Sequence, residues 1–305
     1  MIWVERRRAR IDQLCAGHGI GVEAWQALRR NPAAIAGAAV VAVVALVALL
    51  APVLAPHGSG ELIPQLQAQL RPDRIPGPQP GFLLGSDQLG RDLLSRMLLG
   101  ARQTLAVGTG AMLVSLVLGG ALGAVAGACG GRSSTLLMRG TDTVLAIPGL
   151  LMAVALALLA ARPTAASTII AVGVVGVPVF ARLMCGAVVA QRGSDHVIAA
   201  TVRGVAPVTV FVRHLLPGVL GPVLVQAPLT LATAVLDVAA LAFLGIGDTA
   251  PGRAEWGLML AQAQPYLDVR PMLAAGPAIA LVVVVLGCTL LGESLRSGLR
   301  PRGRG

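Results

Sequence analysis

The sequence predicts an all-α, polytopic membrane protein with six transmembrane helices. Three observations carry that expectation. Hydrophobic residues make up 55% of the 305 residues and charged residues only 12%, about half the ~25% usual for soluble domains. Mean hydropathy is +0.79. Apolar runs of bilayer-spanning length recur, separated by short arginine-bearing segments. A soluble chain of this size needs more charge to cover its surface, so much of this surface is expected to face lipid.

The net charge is +10, and all 24 basic residues are arginine. The arginines are spread between apolar runs and do not form one polar face. That pattern fits a membrane topology signal and argues against nucleic-acid binding. Cys15, Cys129, Cys185 and Cys288 lie far apart without a CxxC pair, as small apolar packing residues do. His18, His57, His196 and His214 show no metal-ligand spacing. No Ser/His/Asp arrangement stands out by spacing.

The elements follow in order. Residues 1–32 are polar and arginine-rich, and are read as a cytoplasmic tail. An apolar run from Pro32 to about Ala55 gives the first span, within 33–56. At ~33 Å it is long enough for a bilayer core and too long for a signal-peptide core. Residues 57–101 carry Pro64, Pro72, Pro76, Pro78 and Pro80 with several charges, so they are read as an extracytoplasmic loop, with any short helices near its end. Residues 102–293 form the core, with five further spans near 103–129, 144–161, 166–190, 215–245 and 273–292. Residues 294–305 form a second basic tail. The small-residue run GGALGAVAGACGG (119–131) has two readings: close helix packing in lipid, or general Gly/Ala bias in composition.

Six spans put both termini on one side. With that side cytoplasmic, 16 of the 24 arginines fall inside, and both tails are strongly basic. In the long loop, Arg71, Arg74, Arg91 and Arg96 are accompanied by Glu61, Asp73, Asp87 and Asp92, so they count little towards topology.

The inside segment 191–217 is too long and too apolar for a plain connection. Two short helices are expected, Asp195–Arg203 and Pro207–His214. Asp195 is expected to cap the first, Gly204 to break it, and Pro207 to open the second. Val197, Ile198 and Val202 are expected to be exposed. Such a patch suits either a partner surface or a helix lying on the membrane.

AATVRG, nine residues, then HLLP resembles the EAA loop of ATP-binding cassette (ABC) importer permeases. Ala199, Ala200, Gly204, Leu216 and Pro217 fall on its spacing. Ile198 stands where that loop has glutamate, and His214 where the general pattern has isoleucine. FLLGSDQLGRDLLSRMLLGARQTLAVG (82–108) resembles the segment leading into the second span of the C-type subunit of dipeptide and oligopeptide permeases, at Asp87, Gly90, Arg91, Asp92, Ser95, Arg96, Gly100 and Arg102. LAFLGIG (241–247) with Pro251, Trp256, Gly257 and Met259 is similar to the loop between spans five and six, and LLGESLRSGLRPR (290–302) to the cytoplasmic end.

The resemblance implies the type I (MetI-like) importer permease fold in a bacterial plasma membrane. It also implies a second permease subunit, one or two P-loop ATPase subunits and an extracytoplasmic substrate-binding protein. ATP and magnesium would then be held by the ATPases, with no cofactor or metal in this chain. Asp195, Val197, Ala199, Ala200, Gly204, His214, Leu216 and Pro217 would couple to the ATPases. Asp87, Gly90, Arg91 and Asp92 would form the extracytoplasmic motif, as a docking or gating element or as a salt-bridged, capped turn. The passage would be lined by small apolar residues. The chain has no lysine and so no GxxxxGK[ST] loop of its own. An ion-coupled carrier is the alternative; its candidate charges would be Asp142, Arg162, Arg182 and Asp237. A membrane assembly factor is a third reading.

Overall fold

The computed structural model describes residues 31–71, 73–160, 163–250 and 252–298. Most of the two basic tails, and Arg162 and Pro251, lie outside these residues. The described residues are helical, with only isolated bridges and no strand among them. Five helices are long and apolar enough to cross a membrane, or six if one bent pair counts as a span.

Helix α1, Pro32–Leu54, starts where Asn31 accepts a hydrogen bond from the Ala33 N–H at 3.0 Å and proline takes the first turn. It lies on α11, Met272–Gly298, with Gly37 against the Gly287–Leu291 backbone and Gly287 against Val40. A one-turn helix α2, Pro64–Gln67, sits early in the long loop, and the expected helices near the loop's end are absent as separate elements.

The loop itself ends sooner than 101. Helix α3 runs Leu93–Cys129, 37 residues or ~55 Å. The expected span began at 103 because Arg96 and Arg102 interrupt the apolar run. Arg96 is buried against protein and not lipid, and Asp92 caps the helix by accepting from Leu94 N at 3.3 Å and Ser95 N at 3.1 Å.

The expected span at 144–161 is broken. Helix α4, Gly131–Leu145, and α5, Gly149–Leu158, meet at 90°. Pro148 lacks an N–H and pushes Ile147 out of helical geometry. Ten residues of α5 reach only ~15 Å, less than a bilayer core.

Helix α6, Ala165–Arg192, packs on α3 through small residues. Gly119, Gly123 and Gly127, one turn apart, face Val177, Ala181 and Val188, while Gly173 on α6 faces Val114. A Cβ at Gly123 would overlap the Ala181 backbone, so the small-residue run is a packing seam. After the loop helices, α9, Leu216–Phe243, runs through the centre against α3, α6 and α11. A short helix α10, Trp256–Ala263, joins α9 to α11. Gly257 fits against Ala239, and Trp256 Nε1 donates to Met97 O at 3.1 Å.

Candidate functional site

Two constellations lie at opposite ends of α3. At its C-terminal end stands the 191–217 loop. Arg192, at the end of α6, donates to Gly127 O and Ala128 O, both at 2.9 Å. It thereby satisfies carbonyls that the end of α3 leaves open. Helix α7, Asp195–Val202, follows, and Ser194 stands at its N-cap position. Asp195 is the first helical residue and not the cap; as an acidic residue in the first turn it favours the helix dipole.

Gly204 ends α7. Its φ of +75° allows Gly204 N–H to reach Thr201 O at 3.0 Å and Val205 N–H to reach Ala200 O at 3.2 Å. Pro207 opens α8, Pro207–Val210. The second short helix does not stop at His214. It passes through a π-turn, Phe211–Leu215, straight into α9, where Leu216 and Pro217 form the first turn. The loop is therefore one separate short helix beside one continuous rod.

Val197 is buried at 4% exposure, and is not part of the outer face. It and Ala200 pack on Met184, Val188, Val210, Leu215 and Val219, which holds α7 on the bundle. Ile198 and Val202 stay outside, at 49% and 81% exposed, joined by Val208 and Val212 at 74% and 51%. Asp195, Ala199 and Gly204 are exposed. His214 is half-buried, with its ring 6.4 Å from that of His196. A groove of about 420 Å³ lies between α7 and α8, lined by Arg192, Ile198, Thr201, Val202, Pro207 and Phe211 among others.

At the N-terminal end of α3, residues 57–71 and 73–96 contribute to a charged knot. Asp87 Oδ1 accepts from Leu89 N and Arg91 N, both at 2.9 Å. Asp87 Oδ2 pairs with Arg91 Nε at 2.6 Å and Arg96 Nε at 3.3 Å. Arg96 also donates to Ser59 O at 2.8 Å, Gln262 Oε1 at 3.1 Å and Arg253 O at 3.3 Å. Asp92 caps α3 and lies 3.5 Å from His57 Nδ1. Gly90, at φ +82°, fits over Gln67, where a Cβ would collide. Asp87, Arg91, Asp92 and Arg96 are all at most 4% exposed, and their charges balance. The cavity among them is about 10 Å³, scarcely room for one water.

The sequence brought Asp87, Gly90, Arg91 and Asp92 into view. It gave no sign of Gln262, which receives both Arg91 and Arg96, or of Arg270, whose Nη2 donates to Leu84 O at 3.0 Å. Both lie more than 150 positions away in the chain. Of the carrier candidates, Asp142 and Arg182 pair with each other between α4 and α6, half-exposed, a contact worth little. Among the described residues no three His, Cys, Asp or Glu side chains gather as a metal site.

The chain is a multi-span helical bundle with an anchored, apolar loop helix at one end, and its relatives are transport proteins. Residues 119–305 match the model of the binding-protein-dependent transport system inner membrane component, and residues 20–72 match the N-terminal transmembrane domain of oligopeptide transport permease C. The chain belongs to this family, and is a permease subunit of an ABC importer in the inner membrane. It is 37% identical over 280 residues to a di/tripeptide transport system permease protein of Pseudomonas aeruginosa, covering 92% of this chain and 91% of that one. It is 35% identical to a dipeptide transport system permease protein of Alkalihalophilus pseudofirmus, covering 92% and 89%. A glutathione transport system permease protein of Pectobacterium atrosepticum is 34% identical over 226 residues, covering 74% of each chain.

Proposed function

We propose that this chain forms half of the passage of an importer for di- or oligopeptides, and that α7 is the element its ATPases move. The second half comes from a related permease subunit. One or two P-loop ATPases hold the ATP and magnesium, and an extracytoplasmic binding protein delivers the solute. The basic tails and the 191–217 loop then face the cytoplasm, and the knot faces outward. The family and the names of the relatives support the solute class, and the arginine distribution supports the orientation.

The observation that carries the docking role is the two-sided character of α7. Val197 and Ala200 fasten it to the bundle, while Ile198 and Val202 project beside an open groove. An apolar face on a well-anchored helix transmits a push to the bundle, because its buried side moves with α6 and α9 as a body. Ile198 in place of a carboxylate makes the contact apolar here.

The knot works as a fastener in this scheme. Its charges are satisfied internally, so an arriving binding protein meets the exposed Leu62, Leu83 and Leu89 around it. The test is co-purification. Ile198→Asp and Val202→Asp together place charge on the outer face and leave the buried one intact. The ATPase subunits are expected to be lost from the purified complex while the second permease subunit is retained. Undiminished ATPase recovery would overturn the docking assignment.

A further inference from the structure

All four polar side chains of α9 lie on one line. Gln226, Thr230, Thr233 and Asp237 are spaced i, i+4, i+7 and i+11, which puts them within about 60° of one another on a helix. Everything else in α9 is apolar, glycine or proline. Gln226 Nε2 donates to Thr230 Oγ1 at 3.2 Å, and Thr233 Oγ1 donates to Thr230 O at 2.9 Å. Thr230 is covered, close to Gly176 of α6. Towards the knot end the line emerges: Thr233 is exposed and Asp237 half-buried.

Asp237 has no ion-pair partner among the described residues. It stands six residues, or ~9 Å, before α9 ends. Its neighbours Val235, Val238 and Leu241 are buried in the bundle while Thr233 and Leu236 are exposed, so the carboxylate sits at the edge of an uncovered face. A carboxylate at that depth is costly against lipid, and such groups face water or a charged partner. The covered part of the line leads from it along the helix towards the loop end.

We propose that the emerging end of this line, Thr233 and Asp237, borders the solute passage, and that Asp237 receives the positively charged amino group of the solute. This rests on the peptide-import reading, since a free peptide carries an ammonium at its N terminus. An ammonium–carboxylate contact in a partly dehydrated setting is charge-assisted and strong. Half-exposure keeps it loose enough for the solute to move on. Thr233 offers a neutral hydrogen-bonding group further along. The passage is then not uniformly apolar: it selects for an amino group at its mouth, independently of the binding protein.

The experiment uses the complete transporter in proteoliposomes. ATP-driven uptake of a labelled dipeptide and of its N-acetylated form is compared for wild type, Asp237→Asn and Asp237→Glu. Uptake is scaled to the fraction of binding protein loaded with each peptide, which removes that protein's own preference. Wild type is expected to favour the free amine. Asp237→Asn is expected to lose about ten- to a hundredfold of free-amine uptake, the range for one hydrogen bond to a charged group, with acetylated uptake unchanged. Asp237→Glu is expected to restore the preference. Equal effects on both peptides, or none, overturn the proposal. Loss of the second permease subunit from the Asp237→Asn complex also overturns it, and assigns the line to the subunit interface. A wild-type transporter that imports neither peptide refutes the peptide-import reading itself, a result distinct from an unchanged preference.

Discussion

Replacing Arg96 by methionine removes the centre of the charged knot while keeping most of the side chain's volume. Arg96 is 1% exposed and donates to three oxygens besides pairing with Asp87. Asp87 itself is not orphaned, because Arg91 Nε and two backbone N–H groups still reach it. Gln262 Oε1 keeps Gln88 Nε2 at 3.3 Å. The carbonyls of Ser59 and Arg253 lose the guanidinium, each a cost of about 1–3 kcal/mol where water cannot replace it. The knot also passes from balanced charge to one excess carboxylate. Breaking a buried ion pair from one side costs about 3–5 kcal/mol, and the two routes agree on roughly 4 kcal/mol. The assay is denaturant unfolding of the purified complex in detergent, followed by the fluorescence of Trp256, whose ring nitrogen is bonded to Met97 beside the knot. A loss below about 1 kcal/mol, the size of an exposed pair, would show that the knot is wet and that its ion pairs are screened by water.

Three further outcomes follow from the same structure. Gly204→Leu forces a branched side chain into φ +75° at the end of α7, at a strain of about 1–2 kcal/mol; ATP hydrolysis is expected to continue with several-fold less uptake per ATP, read in reconstituted vesicles. A cysteine at Gln67, in α2 of the knot-end loop, is expected to label with an impermeant thiol reagent from outside intact cells, and labelling only from the cytosolic side would invert the topology. Glu255 lies at 5% exposure, and its Oε1 has no hydrogen-bond partner among the described residues; burial, and then the nearby Asp248, raise its carboxyl from 4.5 to about 7. The folded protein therefore binds this proton more tightly than the unfolded chain does, so stability falls as pH rises from about 4.5 to about 7 and stays low above. Glu255→Gln is expected to flatten that fall and to stabilise the complex at pH 8 by an amount on the order of 2–3 kcal/mol, read as unfolding temperature against pH.

Periodicity and run length made the spans legible, because lipid demands long apolar helices whatever the tertiary context. Most of the errors share one cause: hydropathy sees a residue's chemistry and not its partner. Arg96 made the predicted second span start late, although its charge is met by Asp87 and three oxygens within the fold. Pro148 is the exception: it turned the predicted third span into a right-angled pair, a local rule that outweighed the apolar content of the run. In the loop, Gly204 and Pro207 act as their types dictate, since a left-handed φ and a first-turn proline are local properties. Val197 could not be assigned from sequence, because only packing decides which valine of VIAATV turns inward. Gln262 was invisible for the same reason, as its partners arrive from 166 to 174 positions away.

The proposed function is peptide import driven by ATP through movement of α7. The most direct test is uptake of a labelled dipeptide into vesicles holding the complete transporter. Uptake is expected only with ATP on the ATPase side and loaded binding protein on the knot side, and none with a proton or sodium gradient alone. Gradient-driven uptake without ATP, or ATP-driven uptake of another solute with no dipeptide transport, would contradict it.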